Sequence, residues 1–462
     1  MKKKLLSVLL LFIFVFGLSA DNSSKAKYIF LMIGDGMGMT HRNIAEYYKR
    51  GISGKINLKS STYEKLNMNT FPIQALCSTY SENSIVTDSA AAATAFATGH
   101  KTKSGVISMD ADGKESYKTI AEIAKERGMK VGIVTSVSID HATPAAFYSH
   151  RPSRGMYYEI STDLASSGFD YFGGSQALKM TPEQLKGKKS PVDCAIEAGY
   201  TVVSNKADLL ALKPKDKQLV WAFTSMTYVI DREDEESPNL VDFTESGIEL
   251  LDGTNGFFMM VEGGRIDWAS HQNDVATMVN ELLEFDNAIG VAYEFYKKHP
   301  DETLIVVVGD HETGGLSFGS HYLKYTAFPD KIKTQKMSQG AFGSIVRKIR
   351  SENISFEDAL PQIQEAFGFE TLSDTEKKIL EEGYKRSMVN DKDYADKIAY
   401  GSYDPLAISC GRVLNNRSGL AWTTFAHTGV PVQVSAIGVG QNDFNGLYDN
   451  TDIFKKINKL LP

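Results

Sequence analysis

Apolar residues along this chain fall into two patterns, short unbroken runs and longer stretches with helical spacing. Tyr28 to Ile33, Lys130 to Thr135, Gln218 to Phe223, Gly256 to Val261, Thr303 to Val308 and Pro431 to Val439 are of the first kind. Runs this short and this continuously apolar suit strands buried on both faces. Tyr117 to Arg127 is of the second kind, with Ile120, Ile123 and Ala124 on one face and Gly128 just after it. So is Val275 to Tyr296, through Met278, Val279, Leu282, Phe285 and Ile289. Buried strands alternating with amphipathic helices predict an α/β fold, a mostly parallel central sheet with helices on both faces.

In such sheets ligands bind beyond the carboxyl ends of the strands. Asp35, Glu262, Asp310 and His311 all stand there, each carboxylate beside a glycine. Asp267 and His271 are four apart, so one helical turn puts both on one face. His427 precedes the last apolar run, two places before Gly429. Mixed carboxylate and imidazole ligation is what zinc favours. Any one of these residues alone reads as ordinary; their coincidence at strand ends does not.

The stretch Thr87-Asp88-Ser89 leads into an Ala-rich run that stops at Gly99. Ala favours helix and Gly ends it, which places Ser89 at or near a helix N-terminus, where N–H groups and the helix dipole favour an anion.

Composition narrows the partners. Met1-Lys2-Lys3-Lys4, the apolar run Leu5 to Leu18 and Ser19-Ala20 have the layout of a secretory signal peptide over residues 1–20, too short in its apolar part to span a bilayer. The formal charge is −7, and loss of Lys2, Lys3 and Lys4 with the signal makes it −10, without basic clusters that would suit nucleic acid. Cys77, Cys194 and Cys410 allow at most one bridge and lack the paired spacing of a zinc-thiolate site. Candidate ligands from Asp35 to His427 require one catalytic domain over 21–462. Within it, residues 321–420 turn polar and Lys/Glu-rich, as in Ser373 to Arg386, and read as an insertion, a lid or crown over the sheet edge or site.

Asp35-Gly36-Met37-Gly38, Thr87-Asp88-Ser89-Ala90, Ala142-Thr143-Pro144, Ser153-Arg154, Glu262-Gly263-Gly264, Gly309-Asp310-His311-Glu312-Thr313 and His427-Thr428-Gly429, in this order, resemble the secreted alkaline phosphatases over nearly the whole mature chain. The resemblance implies a phosphate monoesterase with two zinc ions and one magnesium. One zinc would be held by Asp267, His271 and His427, the other by Asp35, Asp310 and His311, and the magnesium by Asp35, Thr143 and Glu262. Ser89 would be the nucleophile, forming phosphoserine, and Arg154 would grip the phosphoryl oxygens beside Asp88. The signal-peptide layout implies export to the periplasm or cell exterior with no membrane anchor after cleavage, and the resemblance implies inhibition by product phosphate and a homodimer.

Two positions depart from part of the family: His141, where some members carry Asp, and Trp268, where some carry Lys or His. Both fall around the magnesium and phosphate, so they bear on the third metal and on product binding. Three divalent cations set against the four carboxylates, Asp88 and Arg154 leave about +2, which a monoester dianion neutralises and a diester does not. The competing expectations are a phosphodiesterase or phosphomutase with the same bimetal core, and a non-catalytic phosphate- or metal-binding protein, which would have no use for Ser89.

Overall fold

The computed structural model describes residues 25–51, 64–215, 218–233, 236–389 and 394–462; the expected signal peptide lies outside the described residues. Along them run β1 (Tyr28–Gly34), β2 (Ile73–Ser78), β3 (Lys130–Ser138), β4 (Tyr171–Ser175), β5 (Tyr200–Val203), β6 (Leu219–Thr224), β7 (Phe257–Gly263) and β8 (Thr303–Gly309). Then come β9 (Glu312–Thr313), β10 (Ser317–Phe318), β11 (Leu420–Ala421), β12 (His427–Thr428), β13 (Val432–Gly438) and β14 (Leu447–Asp449). Ten of these form one sheet in the order β14-β2-β13-β8-β1-β7-β3-β4-β6-β5. Every pairing in it is parallel except those of β13, which runs against both β2 and β8. The fold is therefore α/β with a mostly parallel sheet, as the hydrophobic pattern predicts.

Burial on both faces explains the unbroken apolar runs. In β1, Tyr28, Phe30 and Met32 enter the core on one face while Ile29, Leu31 and Ile33 enter the core on the other. Helices Met39–Lys49, Leu240–Leu251 and Val275–Lys298 cover the first face. Helices Ser89–Thr98, Ile120–Glu126, Tyr157–Ser167 and Thr451–Leu460 cover the second. The amphipathic stretch expected from Tyr117 becomes helical only at Ile120, because Thr119 and Glu122 form a capping box: the Thr119 hydroxyl accepts from Glu122 N–H at 3.1 Å, and the Glu122 carboxylate from Thr119 N–H at 2.8 Å.

The helix Ser89–Thr98 is buried along its whole length, which its small side chains permit. Asp88 caps its start by accepting from Ala91 N–H, and Gly99 ends it at φ +74°, where an added Cβ would lie 2.6 Å from the ring of Phe454. Within 321–420 lie a short 3-10 helix, Pro329–Thr334, and the helices Gln339–Ser351, Phe356–Phe367, Asp374–Ser387, Tyr394–Tyr400 and Pro405–Ser418. Pro405–Ser418 rests on Pro329–Thr334, which in turn meets Met39–Lys49 and Val275–Lys298, so this region builds outward from the helix layer of the first face. All three cysteines are free thiols, with Cys77 and Cys410 buried.

Candidate active site and metal centre

Four central strands deliver the site at their carboxyl ends. Asp35 follows β1, His141 and Thr143 follow β3, Glu262 lies near the end of β7, and Asp310 and His311 follow β8. Asp267 and His271 sit one turn apart on the helix Arg265–His271, as their spacing predicts. His427 opens β12, which pairs antiparallel with β9 so that His427 faces Thr313 and Thr428 faces Glu312. Ser89 is the first residue of its helix, its Oγ 3.3 Å from His311 Nε2.

Three groups of donors converge around that serine: Asp267, His271 and His427; Asp35, Asp267 and His311; and Asp35, His141 and Glu262, with the ligand atoms of each group within 4.8 Å of one another. Asp310 adjoins the second group. Its Oδ1 accepts the N–H groups of Gly36 at 3.0 Å and His311 at 2.9 Å, which leaves Oδ2 turned inward, 3.3 Å from His311 Nε2. Asp35 Oδ1 lies 3.4 Å from the same nitrogen.

The donor set fits cations. His271 donates from Nδ1 to the Phe425 carbonyl at 2.6 Å, and His427 from Nδ1 to the Thr87 carbonyl at 2.8 Å. Each ring therefore presents an unprotonated Nε2 when neutral, and these two nitrogens face each other at 3.1 Å. Two lone pairs so placed repel; a proton on one nitrogen or a metal cation between the two reconciles them, and the buried carboxylates alongside favour the cation. Both oxygens of Asp35, Oε1 of Glu262, Oδ2 of Asp310, Nδ1 of His141 and Oγ1 of Thr143 are buried without a hydrogen-bond partner among the described residues. Buried groups with unfilled valence in one place call for a ligand.

Protonation follows the same logic. Burial, and then the neighbouring carboxylates, push Asp35 well above the usual carboxylate range; burial does the same to Asp310 and raises Glu262 to about 7. Burial, aided by the Arg154 charge, lowers His141 to about 3, so its imidazole is neutral.

Arg154 lies at the rim, with Nη1 donating to Asp88 Oδ2 at 3.0 Å and Nη2 3.3 Å from His141 Nε2. Its backbone N–H donates to the Gly105 carbonyl at 2.7 Å, and Gly105 N–H donates to the same Asp88 oxygen at 3.0 Å. The rings of Trp268 and His141 are T-shaped to each other, centres 5.7 Å apart, and the Arg265 guanidinium lies 5.3 Å from the indole centre. All the residues expected from the sequence thus share one site. His141, expected around the magnesium, stands among the donor atoms themselves.

Sequence reasoning passed over two hydroxyls that hold these donors and a carboxylate that ties the backbone beside them. The Thr135 hydroxyl donates to Glu262 Oε2, and the Thr313 hydroxyl donates to Asp267 Oδ1. The buried Glu312 carboxylate accepts from Gly315 N–H at 3.1 Å, from Leu316 N–H at 3.0 Å and from the Thr428 hydroxyl. Glu312 and Thr313 directly follow His311, which was the available signal.

A helix-start serine facing clustered carboxylates and imidazoles, at the carboxyl end of a mostly parallel sheet, has the make-up of a metal-assisted hydrolytic centre. Comparison with known proteins narrows the class: a family model described as alkaline phosphatase matches residues 26–462, and the chain belongs to that family. It is 33% identical over 453 residues to alkaline phosphatase 3 of Bacillus subtilis, an alignment covering 95% of this chain and 90% of the relative. Among solved structures it is similar to a cold-active alkaline phosphatase from a psychrophilic Shewanella sp., with a TM-score of 0.77 and 31% identity over 94% of this chain and 100% of that one. A histidine-to-glutamate variant of the alkaline phosphatase of the Antarctic bacterium TAB5, described with magnesium bound in its M3 site, matches with a TM-score of 0.64 and 26% identity over 95% of this chain and 98% of that one. The reaction of this chain is hydrolysis of phosphate monoesters.

Proposed function

We propose that hydrolysis proceeds in two displacements through a phosphoserine at Ser89, with two zinc ions and one magnesium held by the donors gathered around it. Asp267, His271 and His427 would hold one zinc, Asp35, Asp310 and His311 the other, and Asp35, Glu262 and Thr143, with His141 beside them, the magnesium. Bound there, the cations supply Lewis-acid stabilisation of the phosphoryl oxygens and offset the buried carboxylates.

Ser89 Oγ gives up its proton to solvent and forms the bond to phosphorus as the bond to the ester oxygen breaks and that oxygen leaves as the alcohol, taking up a proton; water then attacks phosphorus, the Oγ–phosphorus bond breaks, one proton of the water returns to Oγ and inorganic phosphate leaves. The guanidinium of Arg154 presents two N–H groups to two phosphoryl oxygens, and Asp88 holds that fork in place. Trp268 borders the same space and limits water around the bound phosphate. Product phosphate competes for the same contacts and inhibits.

The single observation that carries this reading is the pair of facing Nε2 atoms of His271 and His427, 3.1 Å apart with each Nδ1 tied to a carbonyl, within one site with the His311-facing Ser89. The magnesium described in the M3 site of the TAB5 variant supports a magnesium as the third cation here. The layout of residues 1–20 supports export to the periplasm or cell exterior, and the homodimer rests on the family alone. Region 321–420 is read as an insertion within the catalytic domain 21–462.

The test is hydrolysis of a monoester and a diester of one leaving group, with metal analysis of the purified protein. A large preference for the monoester and zinc near two equivalents support the reading; a preference for the diester, or full activity without zinc, overturns it.

A further inference from the structure

Thr313 offers one hydroxyl to two neighbours that the assignment above gives to different zinc ions. Its Oγ1 donates to Asp267 Oδ1 and lies 3.2 Å from His311 Nδ1. A threonine hydroxyl carries a single proton. With that proton committed to the carboxylate, the remaining contact is favourable only if His311 Nδ1 carries the hydrogen and Thr313 accepts it. The other ring nitrogen of His311 then keeps its lone pair. That nitrogen, Nε2, is the one turned toward Ser89 Oγ at 3.3 Å, Asp310 Oδ2 at 3.3 Å and Asp35 Oδ1 at 3.4 Å. The direction of the chain, His311 N–H to Thr313 O–H to Asp267, is thereby set by valence alone.

The hydroxyl has little freedom to leave this position. Thr313 N–H donates to the Gly36 carbonyl at 3.2 Å, and β9 is paired with β12. The turn after it is tied down by Glu312, which accepts from two backbone N–H groups and from Thr428. Gly36, at φ +70°, lets the backbone beside Asp35 approach: an added Cβ there would stand 2.9 Å from both Asp267 Oδ1 and Thr313 Oγ1. Asp267, Thr313 and His311 are thus packed as one unit against the end of β1.

We propose that Thr313 is a positioning residue that couples the two zinc groups, fixing the His311 tautomer with its proton on Nδ1 and holding the orientation of Asp267 through the same hydroxyl. The inference rests on the ligand assignment proposed above. Its distinctive consequence is that removing one hydroxyl weakens two metal sites together, one through an imidazole and one through a carboxylate.

The experiment uses the full mature chain, metal-stripped, as wild type, Thr313→Val, Thr313→Ala and Thr313→Ser. Zinc affinity is read by competition with a chromophoric chelator, and the His311 tautomer by long-range proton–nitrogen correlation in protein labelled with 15N-histidine. Val keeps the shape and drops the hydroxyl, Ala covers the case in which Val does not fold, and Ser restores the hydroxyl. Expected are a loss of about 10- to 100-fold in affinity at both zinc steps in Val and Ala, and recovery of most of it in Ser. The Nδ1–H tautomer should dominate in wild type and Ser and lose that dominance in Val and Ala. Equal zinc affinity in wild type and the Val or Ala variant, or an Nε2–H tautomer in metal-free wild type, overturns the proposal while leaving the ligand assignment standing. Wild type that binds no zinc at either step overturns the ligand assignment, and the coupling role with it.

Discussion

The Nδ1 of His427 lies 2.8 Å from the carbonyl oxygen of Thr87. One hydrogen bond therefore joins a donor from near the end of the chain to the turn that launches the Ser89 helix. It fixes the nitrogen that His427 presents and the place of the serine at the same time. Asp88, between Thr87 and Ser89, caps the helix through one carboxylate oxygen and accepts from Arg154 with the other. The proposed nucleophile, the proposed anion grip and a candidate metal ligand are thus registered against each other over three consecutive residues.

Ser89→Ala should lower monoesterase turnover by several powers of ten, because the attacking oxygen is removed while the donor groups stay in place. Steady-state turnover together with metal content checks this. Near-normal turnover with intact metal content would show that Ser89 is not the nucleophile.

Arg154→Ala should chiefly weaken binding of substrate and of inorganic phosphate, by roughly 1.5 to 3 kcal/mol for charge-assisted bonds. Arg154→Lys should restore only part, since a point charge cannot present the fork that Asp88 holds. Phosphate inhibition constants for the three proteins are the measurement, and an unchanged constant in the Ala variant removes Arg154 from the phosphate site.

His141 shares a donor group with Asp35 and Glu262 and is held neutral by burial. A neutral nitrogen donor serves magnesium poorly compared with a carboxylate and favours zinc. Activity should therefore rise on adding millimolar magnesium, and His141→Asp should bind magnesium about 10- to 100-fold more tightly, with less of that dependence. Because the rings of Trp268 and His141 are T-shaped to each other, the variant should be measured with Trp268 kept and with Trp268→Lys. Titration of metal-stripped protein giving equal magnesium affinities would remove His141 from the third site.

How stability changes with pH should depend on whether metal is bound. Burial raises Glu262 to about 7 and lifts Asp35 and Asp310 in the same direction. A carboxyl group that holds its proton more tightly when folded favours the folded state most below the ordinary carboxylate range, and that contribution is lost as pH rises through the folded value. Metal-stripped protein should thus lose melting temperature between about pH 5 and about pH 8, and the gain from adding zinc and magnesium should widen over that interval. Calorimetry on stripped and loaded protein measures it; Glu262→Gln should flatten the stripped curve, and an equal metal-induced gain at both ends would contradict the assignment.

Most of the sheet and the donors were legible in the sequence because each rests on a local rule. Unbroken apolar runs marked β1, β3, β6, β7, β8 and β13, and the Asp267–His271 spacing marked a helical face. Strand β2 escaped notice because Ile73, Ala75 and Cys77 alternate with more exposed residues, so no continuous run announces it. The reversed direction of β13 could not be read, since direction is a matter of which strands it meets. The roles of Thr313 and Thr135 were hidden for a related reason: each hydroxyl acts on a carboxylate that is distant in sequence. The expected helix start at Tyr117 was early by one unrecognised capping box. The possible disulfide gave way to three separate thiols because the fold never brings two of them together.

The place of β13 in the sheet has a consequence for how the molecule comes into being. Strands β2 and β8 are synthesised long before β13, yet they are separated in the sheet by exactly that one strand's width. Until β13 arrives, each offers an open edge of unpaired backbone to any other chain nearby. His427 lies only a few residues before β13, so closing the sheet and completing the donor set are nearly the same event. A chain that stalls before this point has neither a finished sheet nor a finished metal centre, which makes the time between release of the chain and entry of β13 its period of greatest exposure to aggregation.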